Sequence, residues 1–126
     1  MNKIFLAVFL CLTPLLALAA AGDTRIAELY VCELKEGKEM DAVKANNIKW
    51  LAYTRKAAGS DDVRSYALTP LVGDLSTFMF VDSFPDMATW SKVKSALKSP
   101  EGEAIEAGFE DLMDCAKNRL YESEQH

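Results

Sequence analysis

The alternation of apolar and polar residues divides the chain into short strands and amphipathic helices. Strand-forming residues predict a first strand from Ile26 to Leu34, and apolar residues at helical spacing predict a helix from Lys38 to Ala58. A second strand is predicted from Val63 to Thr69, where Pro70 ends it. The apolar run from Thr77 to Val81 is too short for a helix and predicts a third, buried strand.

The second half of the chain contains two helix segments and a last strand. The segment Ser83 to Asp86 is a helix-start signal with its serine as the cap, and apolar residues then repeat at helical spacing as far as Leu97. Ser99 followed by Pro100 restarts a helix, as a capping residue before a proline at the first helical position. The segment Asp114 to Tyr121 predicts the last strand.

This order of elements is the split βαβ arrangement. It predicts an α+β, ferredoxin-like fold: a four-stranded antiparallel sheet with helices packed on one face. We expect the first and third strands to lie parallel at the centre of the sheet. The last strand should run antiparallel beside the first.

Strict alternation sorts the sheet residues into two faces. The face predicted to lie under the helices carries small and medium side chains: Ala27, Leu29, Val31, Ser65, Ala67, Met79, Val81, Ala116 and Leu120. The face predicted to be open carries large, aromatic and charged side chains: Ile26, Glu28, Tyr30, Arg64, Tyr66, Leu68, Phe78, Phe80, Asp82, Lys117, Arg119 and Tyr121. An open apolar patch of this size marks an interaction site, so we expect a symmetric partner to cover it.

The first 21 residues have the layout of a secretory signal peptide. A short basic head precedes an apolar run from Ile4 to Leu18, and small residues place a cleavage site near Ala19 or Ala21. An uncleaved membrane anchor is the alternative, but the run is short for a span of about 20 residues, and Pro14 interrupts it. We therefore expect a periplasmic or secreted protein with no membrane span after cleavage.

The remaining chain is long enough for one domain. The 126-residue sequence carries a formal net charge of −5. We expect a single domain over residues 22–121, which can hold one hydrophobic core, and a flexible tail over residues 122–126. Nucleic acids and anionic membranes select a basic surface, so neither is expected as a partner.

Two cysteines of the predicted domain test the topology. Cys32 lies near the end of the first strand and Cys115 near the start of the last, so antiparallel neighbouring strands would place them opposite each other. Export supplies an oxidising compartment, and we predict a Cys32–Cys115 disulfide. Two buried thiols are the alternative. Thiol catalysis is less favoured, because the sequence has no Cys-x-x-Cys motif and no histidine placed to act as a base.

The strand order, the helix entry Ser83 to Trp90 (Ser-Phe-Pro-Asp-Met-Ala-Thr-Trp) and the closing strand resemble the dimeric α/β-barrel superfamily. This superfamily includes the antibiotic-biosynthesis-monooxygenase-like, stress-responsive barrel and NIPSNAP-like families. The resemblance covers nearly the whole chain after the signal peptide, and it is one of architecture and apolar pattern. It implies a homodimer whose two sheets face each other, with a pocket between sheet and helices in each subunit.

The resemblance also implies candidate ligand-binding residues. Cofactor-free monooxygenases of this superfamily hold an aromatic substrate with Asn, Trp, Tyr and Arg side chains. The side chains of these types that we single out are Asn46, Asn47, Trp50, Tyr53, Arg64 and Tyr66. Asn46, Trp50 and Tyr53 form one helical stripe, and Asn47 interrupts an apolar stripe and needs a buried partner. The structural alternative places Trp50 in the core, Tyr53 at a rim and the Asn47 side chain on the backbone.

Other chemistry is not indicated. The only histidine, His126, is the last residue, so no Ser-His-Asp triad and no internal histidine ligand for a metal or haem is expected. There is no glycine-rich phosphate loop, and we predict no cofactor and no metal. The acidic residues Glu103, Glu106 and Glu110 are interpreted as a solvated helix face. Lys117 and Arg119, beside Glu28 and Asp82 on the predicted open face, are interpreted as cross-strand or intersubunit ion pairs rather than as an anion site.

Three functions are compatible with the sequence. The first is an exported dimer that binds a small apolar or aromatic ligand. The second is a cofactor-independent monooxygenase-like enzyme acting on a small aromatic molecule, and the third is a non-catalytic protein-interaction dimer. The absence of a matched catalytic motif favours the first.

Overall fold

The computed structural model describes residues 23 to 125. The predicted signal peptide and its cleavage site near Ala19 or Ala21 lie outside the described residues. The described elements, in chain order, are β1 (Arg25–Leu34), α1 (Met40–Ala58), β2 (Arg64–Leu68), β3 (Thr77–Phe84), α2 (Met87–Ala96), α3 (Pro100–Glu110) and β4 (Met113–Ser123). β4 thus continues two residues into the segment predicted to be a tail.

The four strands form one antiparallel sheet in the order β2-β3-β1-β4. The predicted α+β, ferredoxin-like fold is confirmed, as is the antiparallel pairing of the last strand with the first. The parallel orientation predicted for the first and third strands is wrong, since β1 and β3 are central but antiparallel. The reason is topological. The crossover through α1 makes β1 and β2 parallel, and the hairpin from β2 reverses β3 against both.

Local chemistry sets the helix ends. α1 ends at Gly59, whose left-handed backbone (φ 66°) suits a residue without a Cβ. α2 begins later than predicted, because Asp86 rather than Ser83 is the cap and its carboxylate accepts a hydrogen bond from the Thr89 amide at 2.7 Å. α3 begins as predicted, with the Ser99 hydroxyl accepting from the Gly102 amide.

On β1 and β3 the helices cover the face predicted to be open, so the predicted assignment of faces is wrong for these two strands. Ile26 and Phe84, which are register partners, pack with Trp50, Val93 and Leu97 of the helices. Cys32, Phe78 and Phe80 pack with Val43 and Phe109 in a second cluster. The large and charged residues of β1 and β3 therefore lie under the helices, and several of them line a space between the sheet and the helices.

The face away from the helices carries mainly apolar side chains of β1, β2 and β3. It carries the register neighbours Leu29, Val81 and Tyr66, and alongside them Val31, Met79 and Leu68. On β2 the prediction was correct in placing Tyr66 and Leu68 on an open face, and each is 46% exposed. We call this set (Leu29, Val31, Tyr66, Leu68, Met79 and Val81) the open sheet face.

A β-bulge in β4 breaks the alternation assumed for the last strand. Lys117 has a positive φ of 61°, and the β1–β4 register shifts between Leu29 and Val31. A bulge places two residues opposite one and reverses the facing of everything beyond it. Arg119, opposite Leu29, therefore lies on the other face from Cys115. The prediction that Arg119 shares a face with Glu28 and Tyr30 is wrong for this reason.

Candidate functional site

A cavity of about 480 Å³ lies between the sheet and the helices. This volume is within the range of small-molecule sites. Its aromatic walls are Tyr30, Trp50, Phe80 and Phe109, and its polar lining comprises Lys35, Asn47, Asp82, Lys94, Glu106, Glu110 and Asp114. Leu97, Met113 and Cys115 complete the lining. The arrangement combines an apolar body with convergent polar groups, which is typical of ligand sites.

The two strands at the centre of the sheet and the two later helices supply the charged groups. Glu28 on β1 is 3% exposed and lies opposite Asp82 on β3, so period-two alternation points both under the helices. Lys94 lies one helical turn after Trp90 on α2, and both side chains reach Glu28. Glu106 on α3 approaches from the other side of the cavity.

Glu28 is the centre of a saturated hydrogen-bond network. Its carboxylate accepts from Trp90 Nε1 at 3.1 Å, from Asn118 Nδ2 at 2.9 Å and from Lys94 Nζ at 3.2 Å. Burial alone would raise the pKa of Glu28, but the Asn118 hydrogen bond and the Lys94 charge hold that pKa below its ordinary value. Glu28 is therefore an ionised, fully partnered carboxylate.

Tyr30 is held in the same network. Lys94 Nζ donates to the Tyr30 hydroxyl at 3.2 Å and lies 5.9 Å from the centre of its ring. Burial and the neighbouring Glu28 carboxylate raise the pKa of Tyr30 well above its ordinary value. Tyr30 therefore stays protonated at neutral pH.

Asp82 stands apart from this network. Its side chain is buried, and no donor among the described residues reaches its Oδ1 atom within hydrogen-bonding distance. Burial raises the pKa of Asp82 to about 7, an effect that the Ser65 hydroxyl opposes and the Glu28 charge reinforces. A buried carboxyl without a full set of partners is costly to the fold and is a feature of functional sites.

Glu106 is a second perturbed carboxyl. Trp50 Nε1 donates to its Oε1 atom at 3.1 Å. Burial raises the pKa of Glu106, and the charge of Glu28 adds to this effect, although Lys94 and Trp50 oppose it. The interpretation of Glu106 as part of a solvated helix face is therefore wrong. Glu106 is half-buried because α3 turns this residue toward the cavity.

The structure brings together only part of the predicted site. Asn47 and Trp50 line the cavity. Asn47 has a half-buried partner: it exchanges hydrogen bonds with Ser65, from Nδ2 at 3.1 Å and to Oδ1 at 3.3 Å. This partner is a side chain rather than the backbone.

The other four predicted residues lie elsewhere. Asn46 Nδ2 donates to the Ile105 carbonyl and ties α1 to α3. The Tyr53 hydroxyl donates to the Ala96 carbonyl at 2.7 Å and lies 2.7 Å from the Ser99 hydroxyl, so it ties α1 to the α2–α3 junction. Arg64 pairs with Asp62 at the surface, and Tyr66 is on the open sheet face. Neither points under the helices.

Sequence reasoning missed Asp82, Glu28, Lys94 and Glu106 as a group. The available signal was Asp82, a carboxylate at the end of the apolar third strand, which lies in register with Glu28 of the first strand. The predicted pairing of Glu28 and Asp82 with Lys117 and Arg119 is wrong, because the cation that meets Glu28 comes from α2. Only Asn118 of β4 reaches Glu28, from the bulge.

The predicted disulfide is confirmed and borders the cavity. Cys32 and Cys115 are direct register partners with Cα atoms 4.0 Å apart, and their sulfurs are bonded. Cys32 is buried, and Cys115 lines the cavity beside Met113 and Asp114. The bridge thus fixes β4 against β1 where the cavity reaches the edge of the sheet.

Neither a membrane-spanning helix nor a cluster of metal ligands is present among residues 23 to 125. No helix from residue 23 onward is long and apolar enough to cross a membrane. Over the same residues, no group of three or more His, Cys, Asp or Glu side chains is arranged to hold a metal ion.

The fold matches solved structures, although no family model and no curated protein matches the sequence. The cofactor-independent oxygenase SnoaB of Streptomyces nogalater superposes with a TM-score of 0.60 at 10% identity, over 81% of this chain and 95% of that one. A NIPSNAP family protein of Agrobacterium tumefaciens has a TM-score of 0.57 at 15% identity, over 77% and 83%. A protein of Shewanella oneidensis has a TM-score of 0.54 at 17% identity, over 82% and 94%.

These similarities confirm the ferredoxin-like fold that the predicted resemblance implied. The chain has the same ferredoxin-like architecture as an oxygenase and as NIPSNAP proteins. A fold hosts many functions, so the function of this protein has to be inferred from the cavity.

Proposed function

We propose that this protein is an exported homodimer that binds a small, partly aromatic molecule in the cavity between its sheet and its helices. The observation that carries the proposal is the cavity itself. It has about 480 Å³ of space with aromatic walls from Tyr30, Trp50, Phe80 and Phe109. A protein used only for protein contacts would fill such a space with its own side chains, because protein interiors are close-packed.

Export and dimerisation have separate support. The sequence pattern of residues 1–21 and the disulfide both favour an oxidising compartment. The open sheet face presents six apolar or aromatic side chains, all at least partly exposed. A second copy of the same face is the simplest cover for it.

Ligand binding can be tested with a neutral aromatic probe. We expect 1-naphthol to change the tryptophan fluorescence of the protein, since Trp50 lines the cavity. The variant Asn47→Phe puts a large side chain into the cavity and should weaken binding by about tenfold or more, by occupying the space a ligand needs. Ile48→Phe is the matched control, because Ile48 is the next residue of α1 and is 70% exposed.

The outcomes separate clearly. Binding that is weakened by Asn47→Phe and unchanged by Ile48→Phe supports the proposal. Failure of neutral, cationic and anionic aromatic probes alike to bind the wild-type protein would overturn it. Native mass spectrometry of protein from an exporting host adds a second test, since a retained small molecule would appear as extra mass on the dimer.

A second candidate function is a cofactor-independent oxygenase that acts on a small phenol. The observation that favours it is Asp82, a buried carboxyl with a pKa near 7 at the wall of an aromatic cavity. A base of this pKa is suited to accepting a phenolic proton at neutral pH. Oxygen consumption with a bound phenol, lost in Asp82→Asn, would favour this function over binding alone.

A further inference from the structure

The ammonium and indole donors that line the cavity already have partners within the protein. Lys94 Nζ donates to both Glu28 oxygens and to the Tyr30 hydroxyl, which uses its three protons. Trp50 Nε1 donates to Glu106, and Asn47 Nδ2 donates to Ser65. The Tyr30 hydroxyl, which accepts from Lys94, lies close enough to Glu28 for that carboxylate to raise the pKa of Tyr30. At the mouth of the cavity, Lys35 Nζ donates to the Glu110 carbonyl and pairs with Asp114.

The acceptors are in excess. Three buried or half-buried carboxyls (Glu28, Asp82 and Glu106) meet one ammonium group, that of Lys94. Glu28 is saturated, but Asp82 Oδ1 has no donor among the described residues. What the cavity lacks is therefore a hydrogen-bond donor, and a positive charge in particular.

We propose that the cavity selects a protonated amine carried on an aromatic or apolar body, with the ammonium group donating a hydrogen bond to Asp82 Oδ1. This inference rests on the proposed function, namely that the cavity binds a small molecule. The donor comes from the ligand, and the aromatic walls contact its apolar body.

The electrostatics of the cavity favour a cation over the alternatives. A carboxylate or phosphate ligand would enter a space whose charged groups are mostly negative, and the two lysines that line it are already paired, Lys94 with Glu28 and Lys35 with Asp114. An ammonium group would relieve the repulsion between Asp82, Glu28 and Glu106. It would also lie among aromatic rings that attract cations through their faces. A neutral alcohol could donate the same hydrogen bond, but without the charge-assisted part.

The test uses three probes of matched shape and different charge. These are 2-phenylethylamine, 2-phenylethanol and phenylacetate, titrated into the full domain by isothermal calorimetry near neutral pH. We expect the amine to bind about tenfold or more tightly than the alcohol, as a charge-assisted hydrogen bond contributes. Phenylacetate should bind most weakly. Equal affinities for the amine and the alcohol would overturn the inference.

Asp82→Asn identifies the residue responsible. This variant keeps the shape of the side chain and removes its charge. The affinity for 2-phenylethylamine should therefore fall to the affinity for 2-phenylethanol, while the alcohol still binds. Asp61→Asn, in the exposed turn before β2, is the matched control for the loss of one negative charge. An amine preference that survives in Asp82→Asn would overturn the assignment.

A pH series of the wild-type protein decides the question even if the Asp82 variant does not fold. The titratable groups that face Asp82 are Glu28 and Tyr30 from β1, Lys94 from α2 and Glu106 from α3, with Lys35, Glu110 and Asp114 at the mouth. Because Asp82 ionises near pH 7, affinity for the amine should rise about tenfold from about pH 6 to about pH 8. The amine itself remains protonated over this range.

Two comparisons isolate Asp82 in that series. The affinity of 2-phenylethanol should not rise with pH, which excludes a general change of the cavity. Glu106→Gln should retain the rise, which separates Asp82 from the other carboxyl of raised pKa. An amine affinity that is flat or falls with pH would overturn the inference. If the alcohol binds but the amine is not preferred, the proposed function stands and only this inference fails.

Discussion

Lys94 Nζ lies 3.2 Å from Glu28 Oε1 and 3.3 Å from Glu28 Oε2, so one ammonium group is shared by both oxygens of a buried carboxylate. This ion pair joins α2 to β1 at the side of the cavity. The Glu28 side chain is 4% exposed, whereas that of Lys94 is 35% exposed. The pair therefore neutralises a charge that the sheet could not otherwise bury.

Removal of the Lys94 ammonium group should destabilise the protein, because it leaves the buried Glu28 carboxylate without a cation. We expect Lys94→Met to lower the free energy of unfolding by about 1 to 3 kcal/mol, which is less than for a fully buried pair because Lys94 is one-third exposed. Urea unfolding followed by tryptophan fluorescence measures the change. Lys92→Met, on the exposed side of the same helix, is the control and should have little effect.

The sign of the pH dependence checks the cause. The pKa of Glu28 is lowered in the folded state, so its stabilising contribution is present above the ordinary value of 4.5 and is lost as pH falls through the folded pKa. The difference between wild type and Lys94→Met should therefore shrink in acid. A difference that stays constant down to low pH would show that Lys94 acts through its methylenes and not through its charge.

Ionised Glu28 stabilises the fold, whereas ionised Asp82 should destabilise it. Its pKa is raised to about 7 in the folded state, so the folded protein holds a proton that the unfolded chain releases, and stability falls as pH rises from the ordinary value of 3.8 to about 7. We expect Asp82→Asn to be more stable than wild type by roughly 2 to 4 kcal/mol above about pH 8. Thermal or urea unfolding at acid and alkaline pH measures this.

The combination of higher stability with lost amine binding would be characteristic of a functional residue. Binding sites retain groups that cost stability, and their replacement commonly stabilises the protein while removing function. An Asp82→Asn protein no more stable than wild type at alkaline pH would contradict the conclusion that burial of the ionised Asp82 carboxylate lowers the free energy of unfolding. Asp61→Asn again controls for net charge.

Sequence periodicity was sufficient to predict the elements and their order. The apolar run Thr77 to Val81 and the helix signal at Ser99 and Pro100 are local features, and each specifies its element through short-range sterics and hydrogen bonds. The disulfide was predictable because Cys32 and Cys115 fall opposite each other in the predicted topology. These inferences needed no knowledge of tertiary packing.

The cavity was not predictable in the same way. Alternation separates two faces of a sheet but does not say which one the helices cover, and a face that surrounds a cavity carries large and charged groups, as an exposed face does. Glu28 and Asp82 therefore gave the same signal as surface residues. The bulge at Lys117 added an error that only the register reveals, since lysine does not favour a positive φ and the neighbouring Asn118, a residue type that tolerates one, does not adopt it.

The disulfide should contribute substantially to stability. Its 83-residue separation closes a long loop, and the chain-entropy model gives about 4 to 5 kcal/mol for a loop of this size. We expect Cys32→Ala with Cys115→Ala to lower the urea midpoint of unfolding accordingly. Reductant should lower the midpoint of the wild-type protein and leave that of the double variant unchanged. A wild-type protein insensitive to reductant under unfolding conditions would contradict the prediction.

The open sheet face gives the sharpest test of the proposed dimer. Val81 lies on central strand β3 between Leu29 and Tyr66, so a charge there would be buried in any interface that uses this face. We expect wild type to be a dimer by size-exclusion chromatography with light scattering, and Val81→Glu to be a folded monomer, since an unpaired buried charge disfavours association. Ile48→Glu places the same charge on the solvent side of α1, where Ile48 is 70% exposed, and should remain a dimer.

A monomeric wild-type protein, or a Val81→Glu protein that still dimerises, would show that the open sheet face is not the interface. If the monomeric variant also lost affinity for small probes, the partner subunit would have to support the cavity from across the sheet.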